Sequence, residues 1–226
     1  PESSGIWRMD LESGKHELIV TIADVAKIPY PHADLSKAKH YFNHLLVSPD
    51  GLRLEFLNRW REEKSSSWGT RMLTCAADGS DIRIVDDCGL TSHFIWHDAQ
   101  HILAWSRAFS KRGDFCMFNE RTGIFEPIGS KLMTQDGHVN CLPHAEWFIN
   151  DTYPNEERMR SLYLYHMPSA QRIDIGAFLS PQEYDGEWRC DLHPRLSPDG
   201  RKAIIDSVHE GNGRQMYLVD IGDIVG

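Results

Sequence analysis

Twelve of the 226 residues are histidine, and four of them, His44, His93, His138 and His193, recur 49, 45 and 55 residues apart. Each opens a short apolar segment: Asn43-His44-Leu45-Leu46-Val47, Ser92-His93-Phe94-Ile95-Trp96, Gly137-His138-Val139-Asn140-Cys141 and Leu192-His193-Pro194-Arg195-Leu196. Imidazole titrates near neutrality, so it serves as a general acid, a general base or a metal ligand. Asn43, Arg189, Cys190 and Asp191 stand beside these positions. Imidazole and thiolate together suit zinc, and a carboxylate widens the choice to manganese. The ligand set expected on this basis is His138, Cys190 and His193, with His209 or Asp191 completing it, and zinc ahead of manganese as the divalent metal. The competing expectation is that the four imidazoles hydrogen-bond neighbouring segments and hold the architecture together.

Weaker candidates accompany them. Tyr153 in Asp151-Thr152-Tyr153-Pro154 is either an acid–base group or a packed aromatic. Arg107, after Trp105-Ser106, is placed to hold an anion, whereas Arg59 and Arg61 around Trp60 read as a solvated rim. The stretch Glu62 to Ser67 reads as an exposed loop.

The elements that must position the histidines repeat with them. After each histidine segment comes a turn and a second strand-like run: Leu52 to Trp60, His101 to Arg107, Glu146 to Tyr153 and Arg201 to Val208. Two of the turns read Ser-Pro-Asp-Gly, at 48–51 and 197–200. There Pro fixes φ and Gly supplies a positive φ, which reverses the chain. A second half-repeat interleaves with the first: Ile6 to Asp10, Met72 to Cys75, Phe115 to Phe118, Leu162 to Tyr165 and Met216 to Asp220. The unit is therefore four strands every 45 to 55 residues, the signature of an all-β propeller of four-stranded antiparallel blades. About four and a half blades are expected, in one domain over 1–226, as part of a larger, seven-bladed ring lacking its N-terminal repeats. In a propeller the first strand of each blade lines the central channel, so equivalent histidines converge at one end of it. A short turn near Ser36 to Lys39 is the one helical feature expected.

Composition narrows the function. The chain is 41% hydrophobic and 25% charged, which is globular rather than disordered. A net charge of −9 argues against a general nucleic-acid partner, since phosphate contacts need clustered Lys and Arg. No run of about 18 apolar residues is present, so no spanning helix is expected. Five scattered cysteines do not make a disulfide framework or a CxxC zinc ribbon. The compartment is left open.

Taken together, Phe42-Asn43-His44 with Ser48-Pro49-Asp50-Gly51, Ser92-His93-Phe94-Ile95-Trp96, Asp136-Gly137-His138, Asp151-Thr152-Tyr153-Pro154 and Cys190-Asp191-Leu192-His193-Pro194 resemble the propeller polysaccharide lyases, namely the oligogalacturonate lyases and the related ulvan lyases. The blade turns alone are shared with TolB-like propellers. The resemblance implies β-elimination on a uronate-containing acidic oligo- or polysaccharide. By motif, His138 and His193 match metal positions and His93 matches the base. Trp188, Arg189, Cys190 and Asp191 replace the Gln and second His of the manganese site, a departure closer to the zinc site of ulvan lyases. In that version His44 joins His93 as the acid–base pair and Arg107 neutralises the substrate carboxylate. Asn58 stands where some relatives carry His. Two other functions are carried alongside: a non-catalytic TolB-like propeller that binds protein or glycan at the channel mouth, and a peptidase-associated propeller whose hydrolase domain lies elsewhere, since no Gly-x-Ser-x-Gly elbow occurs here.

Overall fold

The computed structural model describes residues 1–62 and 67–226. Glu63 to Ser66, most of the expected loop, lie outside the described residues. The described chain is all-β, with seventeen strands in five antiparallel sheets. The first sheet is a hairpin of β1 (Gly5–Met9) and β2 (His16–Thr21). Blade 1 holds β3 (Lys39–Val47), β4 (Arg53–Arg61), β5 (Gly69–Ala76) and β6 (Arg83–Gly89) in consecutive order. Blade 2 holds β7 (Thr91–Trp96), β8 (His101–Ser106), β9 (Asp114–Asn119) and β10 (Phe125–Pro127). Blade 3 holds β11 (Asn140–Cys141), β12 (Trp147–Asp151), β13 (Met159–His166) and β14 (Gln171–Leu179). Blade 4 has three strands, β15 (Arg195–Leu196), β16 (Lys202–Ser207) and β17 (Gln215–Asp220). This is the expected propeller repeat, four-stranded blades with a partial sheet at either end.

The core lies between sheets. Period-2 alternation sends successive side chains to opposite faces, so each central strand serves two seams. On β4, Leu54 and Phe56 join Ile6 and Val20 of the first hairpin, while Leu57 joins Trp96, Ile102 and Ala104 of blade 2. Trp105 and Phe115 of blade 2 meet Phe148 and Tyr163 of blade 3, and Leu162 and Leu164 meet Leu192, Ala203 and Ile205 of blade 4.

The Ser-Pro-Asp-Gly turns work as their residues require. Ser48 Oγ donates to Asp50 at 2.6 Å and accepts from Arg53 N–H at 2.9 Å, with Gly51 at φ +75°. The turn at 197–200 repeats this, with Gly200 at φ +70°. The short helices at 22–27, 186–188 and 222–225 were not anticipated, and the first of them is the longest. It is α1 (Ile22–Lys27), capped by Thr21, whose hydroxyl accepts from Asp24 N–H at 2.9 Å. Thr followed three residues later by an acid is a capping signal, and it was legible.

Candidate functional site

The histidine row forms at one end of the inner strands, where regular pairing breaks down. In β3 the register jumps between Asn43 and Leu46, and in β7 between Thr91 and Phe94. Each jump inserts one residue, a β-bulge that re-aims a side chain. His44 and His93 sit in these bulges, and His44 has φ +53°. In blades 3 and 4 the inner strands shorten to two residues, and His138 and His193 lie just before them. The imidazoles follow one another across four blades, with ring centres 5.6 Å apart from His44 to His93 and 4.3 Å apart for each later step. The Tyr153 ring lies 6.2 Å from both His93 and His138, with the Arg189 guanidinium 5.3 Å from its centre.

Two carboxylates from blade 3 orient the row. Asp136 Oδ1 lies 2.9 Å from His93 Nδ1. Asp151 is 1% exposed and binds three groups: His138 N–H at 2.6 Å, His138 Nδ1 at about 3 Å through both oxygens, and His193 N–H at 2.9 Å. A carboxylate only accepts, so Nδ1 carries the hydrogen on both rings and Nε2 of each is left for a ligand. Burial works against the charge on His138, but Asp151, Asp191 and Asp136 outweigh it and raise its pKa. Burial likewise opposes ionisation of Asp151, and the His138 contacts and backbone N–H groups prevail to keep its pKa low. His44 is pushed down to about 4, by crowding against protein first and then by His93, Arg59 and His138. Part of its surface stays exposed, and the imidazole is neutral at pH 7. His193 is lowered by burial, His138 and Arg195. Tyr153 is raised, chiefly by burial, and so holds its proton.

Several expected residues lie elsewhere. The Arg107 side chain is exposed and makes no hydrogen bond or ion pair with a described residue. Arg59, read as rim, acts instead on His44, with a buried Nε that has no partner among the described residues. Asn58 is fully buried in the blade wall, accepting from Arg71 Nε at 3.1 Å and contacting His40. Arg71 in turn ties down Val25 O, Ile28 O and Pro29 O at the end of α1. Asn58 is therefore a structural link and does not face the row.

The expected metal set does not assemble. Among the described residues no group of three or more His, Cys, Asp or Glu side chains has metal-holding geometry. His209 packs edge-on against Phe178 and at a tilt against Tyr217, and contacts Ser207 Oγ at 2.8 Å. Cys190 is buried, its thiol pushed up by desolvation. Asp191 Oδ2 comes within 3.9 Å of His138 Nε2, but Asp191 is held by Arg160 and Arg189, each at 2.8 Å. Two guanidinium groups beside a two-donor pair repel a divalent cation. The residues present do not fit a resident divalent metal, and nothing in them favours zinc over manganese.

No protein-family profile matches the chain, and no curated protein is similar to it in sequence. Solved structures are similar in fold. TolB from Acinetobacter baumannii is 19% identical with a TM-score of 0.53, over 84% of this chain and 41% of that one. An oligogalacturonate lyase in complex with manganese is 11% identical with a TM-score of 0.56, over 95% of this chain and 70% of that one. An acylaminoacyl peptidase from Pyrococcus horikoshii is 7% identical with a TM-score of 0.56, over 81% of this chain and 31% of that one. The chain is a β-propeller. It spans less than half the length of the TolB structure and about two thirds of the lyase. No helix is long and apolar enough to cross a membrane among the described residues.

Proposed function

We propose that the histidine row is the catalytic face of a polysaccharide lyase acting on a uronate-containing acidic glycan by β-elimination. The observation that carries this reading is the pairing of His93 with Asp136 and of His138 with Asp151 on rings 4.3 Å apart. β-Elimination needs a base for the proton α to the carboxylate, positive charge for the developing enolate, and an acid for the leaving oxygen. His93, its Nδ1 hydrogen held by Asp136, presents Nε2 as the base, and neutral His44 beside it completes the proton-accepting end. Tyr153, which keeps its proton, is the acid within reach of both His93 and His138. His138, favoured in its charged form, faces the enolate. Arg59 beside His44, or exposed Arg107 reaching over, receives the substrate carboxylate. All of these steps use the chain's own side chains.

The test is incubation with oligogalacturonate and ulvan-type glycans, read by the ultraviolet absorbance of an unsaturated uronate. Product is expected with the native chain and a loss on the order of 100-fold or more in His93→Ala. No product from either substrate class would sink the lyase reading. A TolB-like binding propeller is the second reading, favoured by the higher identity to TolB, 19% against 11%. Under it, alanine at His93 or His138 changes stability and nothing else.

A further inference from the structure

The tip of blade 1 carries more aromatic surface than its core uses. Trp60, near the end of β4, lies against Gly69 at the start of β5, where any Cβ would run into the indole. Blade 2 repeats this with Trp105 on Gly113, and there the indole is buried in the seam with blade 3. Tyr30 packs edge-on against Trp60 with ring centres 4.7 Å apart, and its hydroxyl lies 2.8 Å from where a Cβ on Gly89 would stand. These contacts are packing.

Trp68 has no such explanation. It is 50% exposed and belongs to none of the four core clusters of described residues. Tyr41 meets it edge-on with ring centres 5.2 Å apart, and the Arg61 guanidinium lies 5.1 Å from its centre. With Tyr30, Trp60, Gly69 and Gly89 it lines an open cavity of about 280 Å³, to which exposed Glu62 and His32 add polar groups. Aromatic walls with a few polar groups are the make-up of a small-ligand site, and the volume is close to the lower end of the range for such sites, about 300 Å³. The cavity opens at the same end of the sheets as the histidine row. Trp68 precedes β5 opposite the start of β3, and Tyr41 stands three residues before His44, on the order of 10 Å along the strand. Arg59, paired with Tyr41 across the sheet and acting on His44, links the two.

A pyranose ring has an apolar C–H face and a hydroxyl edge. The face suits an exposed indole, and the hydroxyls suit the Glu62 carboxylate, which can only accept. A proline-rich peptide, the other common guest of Tyr- and Trp-lined grooves, has few N–H groups to give that carboxylate. We infer that the tip of blade 1 is a sugar-ring subsite, in which Trp68 stacks on one pyranose of the glycan whose acidic unit lies on the histidine row. Naming a glycan rests on the lyase reading; the cavity and its aromatic walls do not.

The test is NMR of the indole N–H groups in a His93→Ala chain, chosen so that the glycan is not consumed. It is titrated with trigalacturonate and, separately, with an ulvan trisaccharide, and the two arms show which glycan supplies the ring. A saturable shift of the Trp68 resonance is expected, assigned by its loss in Trp68→Ala. Kd should rise on the order of 10-fold in Trp68→Ala and be largely restored in Trp68→Phe. A Trp68 resonance that stays put while the row histidines shift would overturn the subsite and leave the lyase reading standing. A Trp68 shift without a histidine shift would keep the subsite and remove the row from glycan binding. No shift with either glycan would sink both. A Trp68 shift with a proline-rich peptide and with neither glycan would overturn the subsite in favour of a binding propeller.

Discussion

Glu55 offers the sharpest test of the packing argument. It lies in the middle of β4, fully buried, with both carboxyl oxygens unpartnered among the described residues. Arg53, two residues away on the same face, is committed to Asp81 at 3.0 Å and Glu120 at 2.6 Å. Thr74, directly across on β5, is likewise engaged with Glu120. Desolvation without compensation raises the Glu55 pKa well above its ordinary 4.5. A buried carboxyl with no hydrogen bond costs about 1–3 kcal/mol even when neutral. Glu55→Met, similar in length and apolar, is therefore expected to stabilise the fold by about that amount at acid pH.

The pH dependence carries the stronger signature. A carboxyl whose folded pKa is raised favours the native state fully below its unfolded value, and that advantage is lost as pH climbs towards the folded value. The native chain should lose roughly 1.4 kcal/mol per pH unit through this group across that window. Glu55→Met should not, so its advantage should widen from about pH 5 upward and level off above the folded pKa. Urea denaturation of both proteins at several pH values measures the difference directly. An advantage that is flat or shrinking with pH would show that Glu55 is ionised and satisfied in the folded protein, and the reasoning would fail.

Two further outcomes follow from the row. Asp151→Ala should destabilise by about 3–5 kcal/mol, because it strips a buried imidazole and two backbone N–H groups of their acceptor; calorimetry should show the melting temperature falling by roughly 6–20 °C, and a fall of less than a degree or two would contradict the staple. Proton NMR titration should find His44 near 4 and His138 above the ordinary 6.5. Since folded His44 resists protonation, its contribution to stability is present above about pH 6.5 and is lost as pH falls. The reverse order of the two titrations would remove the assignment of His44 to the proton-accepting end.

Much of this fold was legible because its turns and period are local chemistry. Pro49 and Gly51, or Pro198 and Gly200, define a reversal within four residues, and the apolar alternation after each defines a strand. The histidine row was legible for the same reason, since equivalent positions in a repeat share a place in the ring. The carboxylates were not. Asp136 and Asp151 act on residues 43 and 42 positions away, His93 and His193, and no local pattern links them. The ligand set failed on geometry of the same kind. His209 lies beyond the end of β16 against Phe178 and Tyr217, and closeness in sequence to His193 does not bring it to the channel. Asn58, which stands where some relatives carry His, is a wall residue held by Arg71 and His40, and that role was not legible because both partners lie 13 or more positions away.

The arrangement of strain and charge explains why blade 3 governs the row. His44 and His193 take φ of +53° and +45°, conformations that cost non-glycine residues of order 1–3 kcal/mol each and persist only where surroundings over-determine them. At His193 the determining contact is visible. Its N–H is held by Asp151, a carboxylate that already binds the backbone and ring of His138. Blade 3 thus fixes its own imidazole, the backbone of the next blade and, through Asp136, the imidazole of the previous one. A purely structural staple would need only the backbone contacts of Asp151. Asp151 and Asp136 also hold Nδ1 of His138 and His93 respectively, which fixes the orientation of both rings, and the proposed role of His93 as a base rests on that orientation.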